Sequence, residues 1–213
     1  MVNFYMEKKK LSKTKQKIKK SAIDLFNNSD TLSVTTNHIA KSANISPGNL
    51  YYHYKNKEDI IKDLYSDMSF SFENFNSFEI ILNSDNPIKE LDIMFDRYGE
   101  LFWEYRFLMR DINTLMAIYP QLKEMFLKNQ KKRITQIESL IRYFISLEIM
   151  ENASIEDISL RARLNWFISS YWHFFAQTTG KNVKEAIQET KKIVFKINIY
   201  PYLTEKGKKM IEN

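Results

Sequence analysis

Apolar residues recur at three- and four-residue intervals along most of the chain, the spacing that places side chains on one face of an α-helix. Ile18, Ala22, Leu25 and Phe26 form such a stripe over residues 12–27, with Lys13, Lys15, Lys17, Lys19 and Lys20 on the other faces. Ile39, Ala40 and Ala43 mark a short segment over 36–43, and Leu50 and Tyr54 share a face over 47–53. Ile60, Ile61, Leu64, Tyr65, Met68 and Phe72 predict a helix from 57 to Phe75 or Phe78. Further stripes predict helices over 88–106, 109–118, 120–147, 155–177 and 182–198, with a kink or break at 106–110. Loop and cap signals separate them: Asn83 to Pro87, Pro120 after Tyr119, Ser154 with Asp157 three residues on, Gly180 and Pro201. No stretch alternates as a strand would. The expected fold is all-α with about nine helices, and the basic tail leaves room for one more short turn.

Residues 35–61 (TTNHIAKSANISPGNLYYHYKNKEDII) hold two of these short helices around a tight break. Thr35 precedes the first, where a hydroxyl caps free N–H groups. Asn44 suits a left-handed turn residue. Ser46 and Pro47 restart the second helix as N-cap and first helical residue. Two helices joined by a three- or four-residue turn make a helix-turn-helix, whose second helix enters the DNA major groove.

This stretch closely resembles the DNA-binding motif of TetR-family transcriptional repressors. Thr35, Ile39-Ala40, Ala43 to Ser46, Leu50 to Tyr54, Lys57-Glu58 and Ile60-Ile61 carry the likeness. Ser-Pro-Gly-Asn-Leu-Tyr-Tyr-His-Tyr followed by Lys-Asn-Lys-Glu is its specific part. Asn44 replaces the usual turn glycine, and Tyr54 stands where phenylalanine is more usual. The resemblance implies an N-terminal three-helix DNA-binding head, expected over 1–56. It also implies a larger helical effector-binding and dimerisation body, expected over 57–213.

Charge sharpens that division. Residues 1–62 hold twelve Lys, no Arg and five acidic residues, a balance of +7; the rest holds 20 basic and 21 acidic residues, a balance of −1. A basic head on a near-neutral body suits a partner made of phosphates. Lys8, Lys9 and Lys10 form either an arm for the DNA or a solvated terminus, and either Met1 or Met6 is the start. The absence of cysteine excludes disulfides and thiolate metal sites and suits the cytoplasm. No 18-residue apolar run predicts a membrane span. No metal-binding or catalytic constellation stands out among three His, no Gly-rich phosphate loop and no HExxH helix, so neither cofactor nor enzyme activity is expected.

Within the motif, Ser46, Pro47, Gly48 and Asn49 occupy the exposed start of the recognition helix. Gly48 lets the backbone approach DNA, and the Asn49 amide can bond both N7 and N6 of adenine. Thr36 and Asn37 reach bases or backbone nearby. Tyr51 and His53 lie off the core face, with polar ends available to phosphate. Lys57 begins the next helix, whose free N–H groups attract phosphate as well. The resemblance implies backbone-holding roles for Thr35, Tyr51, His53 and Lys57; Lys55 is a weaker candidate. Tyr52 is expected to pack rather than to contact DNA, and His38 to be an exposed side chain, with a phosphate contact as the alternative.

In the body, Phe95, Tyr98, Phe102, Met109, Asn113, Met116, Trp166, Ser170 and His173 are candidate linings of an effector pocket. Such a stripe reads equally as plain core. Arg106, Arg110 and Asp111 form either an internal ion pair, the preferred reading, or an anion site. The run from Tyr105 to Asn113 is similar to one branch of the family. The resemblance implies a homodimer through the last two long helices, the eighth and ninth in order, with Trp172 and Phe175 available to that interface. The expected function is a ligand-responsive regulator, a repressor that binds a palindromic double-stranded DNA operator and is released by a small apolar or amphipathic molecule. The alternative is a DNA-binding regulator controlled by a protein partner instead.

Overall fold

The computed structural model describes residues 12–74 and 77–212. The lysine arm at 8–10, Met6 and Phe75 lie outside them. Contacts divide the chain into two compact units, the first ending at Tyr65 and the second beginning at Ser66.

The first unit contains α1 (Lys13–Asn28), α2 (Thr36–Ser42), α3 (Pro47–His53) and the first turns of α4 (Lys57–Asn74). Each short helix starts on a side-chain cap. The Thr35 hydroxyl accepts the His38 N–H at 3.2 Å, and the Ser46 hydroxyl accepts the Asn49 N–H at 3.2 Å. Asn44 turns the corner with φ of 54°, in the left-handed region. Ile18, Ala22, Phe26, Ile39, Ala40 and Leu50 meet in the core, joined by Val34, Tyr54, Ile60, Ile61 and Leu64. Ile45, expected in that core, is only half-buried. Ile60, Ile61 and Leu64 are fully enclosed, and the unit boundary falls inside α4, after the 56/57 division read from the sequence.

The second unit continues α4 and adds α5 (Ser77–Leu82), α6 (Pro87–Glu104), α7 (Arg106–Ile118), α8 (Pro120–Ser146), α9 (Ile155–Thr178), α10 (Val183–Val194) and α11 (Glu205–Glu212). All nine expected helices are present; α5 is added to them, and α11 occupies the tail where room for one more short turn was expected. The break expected at 106–110 sits earlier, at the single residue Tyr105, whose N–H still reaches the Leu101 carbonyl at 3.0 Å. The last expected helix is shorter as an α-helix. Beyond Val194 it widens into a π-turn, Phe195–Ile199, and then tightens into a 3-10 turn, Tyr200–Tyr202, around Pro201.

α9 packs on α8 and α10. Ile88, Leu91 and Met94 of α6, Leu140, Ile141 and Phe144 of α8, and Ile158 and Ile168 of α9 form one core with Val194, Phe195 and Ile199. α11 is fastened to the end of α8 by backbone proximity. A Cβ on Gly207 would lie 2.3 Å from the Ile149 carbonyl oxygen. Thr204 N–H bonds that same oxygen at 3.1 Å, and Lys206 Nζ bonds the Leu147 carbonyl at 2.8 Å. Gly207→Ala should therefore push α11 off this seat. We expect a loss of ~1–3 kcal/mol in urea unfolding, the usual range for forced overpacking; unchanged stability would contradict the close approach.

Candidate nucleic-acid interface and effector body

The exposed side of the first unit gathers most of the expected DNA-binding residues. Thr35, Asn37, Ser46, Pro47, Gly48, Asn49 and Tyr51 are exposed, and Thr36, His53 and Lys57 are half-buried. Asn37, Ser46 and Pro47 line an open depression of about 470 Å³ in the elbow of the helix-turn-helix, with Lys41, Asn44 and Ile45. Lys13, Lys17, Lys20, Lys41 and Lys55 are also exposed and supply positive charge to this unit.

Several side chains are already held in place. The Thr36 and Tyr51 hydroxyls lie 3.0 Å apart and tie the start of α2 to α3. The His38 Nδ1 accepts the Thr35 N–H at 3.3 Å and completes a capping box. His38 is exposed as expected, but its bond to Thr35 was not legible, because capping boxes are recognised by Glu or Gln at that position. Tyr52 does not pack. It is 85% exposed and meets only the edge of the His53 ring, at 5.1 Å between centroids, so its expected packing role is corrected.

Lys57 also differs from expectation. Its ammonium donates to the carbonyls of Thr31 (3.0 Å), Leu32 (2.8 Å) and Val34 (3.0 Å). Burial lowers its pKa, against the opposing pull of Asp30. A lysine has three N–H donors, and all three are spent on the loop before Thr35. A phosphate contact by this side chain does not follow from its placement; here it fastens the loop that carries the α2 cap.

A second staple went unread in the sequence. Asp63 on α4 accepts Lys15 Nζ and Lys19 Nζ, each at 2.9 Å, and the Tyr54 hydroxyl at 2.7 Å. Burial alone would raise its pKa, but the bonds from Lys15, Lys19 and Tyr54 outweigh burial and hold it below the usual carboxylate value. The hydroxyl that distinguishes Tyr54 from the more usual phenylalanine thus has a partner. A depressed folded pKa contributes stability above the unfolded value, and that stability is lost as pH falls through the folded value. Asp63→Asn should lower stability at neutral pH by ~1–3 kcal/mol, in the range of hydrogen bonds to charged groups. It should also flatten the loss of stability below pH ~4, where an unperturbed Asp titrates. Identical acid unfolding curves for the two proteins would contradict this.

Gly48 has only the Ser46 hydroxyl oxygen near its missing Cβ, at 4.0 Å. Gly48→Ala should leave the fold intact and raise helix propensity by under ~1 kcal/mol. If the α3 backbone approaches DNA there, the same methyl group should weaken DNA binding at least tenfold. Full-strength binding by this variant would remove Gly48 from the interface.

The candidate effector residues separate into two neighbourhoods. Phe95, Tyr98 and Phe102 on α6 gather with Phe72, whose ring lies 4.6 Å from Tyr98 and 5.4 Å from Phe102. His173 on α9 is buried, its Nε2 3.1 Å from the Met109 carbonyl oxygen. Burial holds His173 below the usual imidazole value, although the Met109 bond pulls the other way. Trp166 stacks edge-on to Phe126 at 6.0 Å. Met116 and Ser170 are half-buried, whereas Asn113 is exposed on α7. Arg110 pairs with Asp111, its Nε and Nη2 bonding the carboxylate at 2.8 and 2.7 Å, but Arg110 is exposed, so the pair is not the internal one expected. Arg106 instead lies over Trp103 and bonds its carbonyl at 3.0 Å.

Residues Leu160, Leu164, Phe167, Phe174 and Phe175 of α9 are exposed, while Ile158, Ala162, Ile168 and Ala176 of the same helix are buried. The helix is therefore apolar on two sides, only one of which is covered by the described residues. Among the described residues, no helix is long and apolar enough to cross a membrane, and no group of three His, Cys, Asp or Glu is placed to hold a metal.

Two family models match the chain. Residues 18–64 match one described as bacterial regulatory proteins, tetR family, and residues 74–211 match one described as bacterial transcriptional repressor, TetR. A TetR-family transcriptional regulator from Marinobacter aquaeolei superposes with a TM-score of 0.79 at 25% identity, covering 94% of this chain and 96% of its own. SmeT in complex with triclosan gives 0.65 at 17% identity, covering 90% and 92%. GusR from Salmonella enterica gives 0.64 at 18% identity, covering 87% and 95%. A search of functionally curated proteins finds no match.

Proposed function

Because the chain belongs to the TetR family of bacterial transcriptional regulators, we propose that it is a repressor in the cytoplasm that binds a palindromic operator as a homodimer. A small apolar or amphipathic effector releases it. The observation that carries the DNA reading is the start of α3. Pro47, Gly48 and Asn49 stand exposed on a helix whose other face anchors Leu50 in the core. A helix presented in this way enters a major groove, with Asn49 reading a base edge. Ser46, Thr36 and Asn37 flank it. Thr35, Tyr51 and His53 hold the backbone, and Lys57 contributes by fixing the loop before α2 and by bringing the α4 N-terminus to phosphate.

The uncovered face of α9 supports the dimer. An apolar stripe of this size needs a partner surface, and a second copy with α9 and α10 apposed to the first supplies one. Two heads reading two half-sites explain how so small a head gains affinity. Effector release follows when the ligand favours one of two body conformations, since it acts only through differential affinity. The SmeT structure holds triclosan, a precedent on this fold for a small aromatic molecule.

Selection of bound DNA from random sequence should return a two-fold symmetric site. On that site, log K should fall with log salt by about 0.9 for each phosphate neutralised. Phe167→Lys combined with Leu164→Lys should give a monomer in sedimentation and lower operator affinity at least a hundredfold. Salt-insensitive binding would sink the DNA reading, and an intact dimer in the double variant would sink the α9 interface.

A further inference from the structure

Arg133 on α8 is 8% exposed. Its Nη1 bonds the Gln136 Oε1 at 2.9 Å, its Nη2 bonds the Ser69 carbonyl at 3.3 Å, and its guanidinium lies 5.4 Å from the Phe72 ring centre. All of these partners are neutral. Among the described residues no carboxylate forms an ion pair with it. A buried cation without a counterion is costly, and it attracts any anion that can reach it.

Its surroundings ask for acceptors. The hydroxyl of Ser69, the residue whose carbonyl Arg133 holds, is buried without a hydrogen-bond partner. Buried polar groups left unpaired in a native protein call for an explanation. The neighbours of Arg133 on this side are aromatic: Phe72 lies beside it and packs on Tyr98 and Phe102. Glu104, at the end of α6, is exposed.

We propose that the effector is an amphipathic monocarboxylate. Its carboxylate meets Arg133 and the Ser69 hydroxyl, and its apolar body lies on Phe72, Tyr98 and Phe102. A guanidinium favours a planar carboxylate, which accepts two N–H bonds at once. This rests on the reading of the second unit as an effector-binding body.

Phenylbutyrate, phenylbutanol and phenylbutylamine share a body and differ in the head group. They are titrated into the full chain at fixed ionic strength, followed by calorimetry and tryptophan fluorescence. The carboxylate should bind at least tenfold more tightly than the alcohol, and the amine should not bind at the same concentrations. Arg133→Gln should reduce the carboxylate to the level of the alcohol. Ser69→Ala, which removes no charge and serves if Arg133→Gln fails to fold, should weaken the carboxylate severalfold and leave the alcohol unchanged. Equal or tighter binding of the alcohol or the amine would overturn the proposal. So would an unchanged preference in both variants, an equal response to acetate, or no binding by any of the three. DNA release on the selected operator is measured separately. Release by a compound without a carboxylate overturns the acid while the regulator reading stands.

Discussion

Helices of seven residues do not hold themselves together in water, because nucleating a helix fixes several residues for a single hydrogen bond. α2 and α3 are both that short, and everything proposed at the DNA surface depends on how they are secured. Three kinds of fastening meet there. Side-chain caps at Thr35 and Ser46 start the helices, and Asn44 accepts the left-handed corner between them. Leu50 and Ile39 anchor each helix to the core, each burial contributing roughly 1.5–3 kcal/mol. Charged side chains then tie the remaining backbone, with Lys57 on three loop carbonyls and Asp63 joining α1, α4 and the end of α3. Pro47, Gly48 and Asn49 stay exposed at the start of α3, which suits a surface that must fit another molecule.

The second unit relies on a few buried polar residues within an apolar core. Arg161 of α9 stacks its guanidinium on Tyr202 at 3.7 Å and bonds the Asn198 carbonyl at 3.3 Å, while the Asn198 amide bonds the Arg161 carbonyl at 3.0 Å. Reciprocal bonds of this kind fix one register between α9 and the π-turn, because sliding either segment would strand buried polar groups. Gly207 and Thr204 do the same for α11 against the end of α8, through close backbone approach. The exposed side of α9 is instead apolar, with Leu160, Leu164, Phe167, Phe174 and Phe175.

Much of the head was legible because its signals are local. The Ser46-Pro47 start, the Thr35 cap and the Asn44 corner each depend on residues within four positions. The faces of Leu50 and Tyr54 follow from helical spacing. Tyr52 is 85% exposed rather than packed, and spacing cannot show whether a neighbour exists. The place of Lys57 in the motif announces a charge at a helix start, but not the three carbonyls over twenty residues earlier that it bonds. In the body, spacing along the chain does not show that Asn113 is exposed on α7.

The sequence by itself determined the all-helical class, nearly all helix positions, the turn between α2 and α3, and the concentration of positive charge in the first third. These follow from periodicity, capping and composition, which act over one or two turns. Only the tertiary structure decided which polar atoms meet: Lys57 with the loop before α2, Asp63 with Lys15 and Lys19, Arg133 with Ser69, and Arg161 with Asn198. Those partners are separated by up to 64 residues, and their choice is set by through-space distance and by the cost of leaving a buried donor unpaired. No spacing along the chain records either quantity.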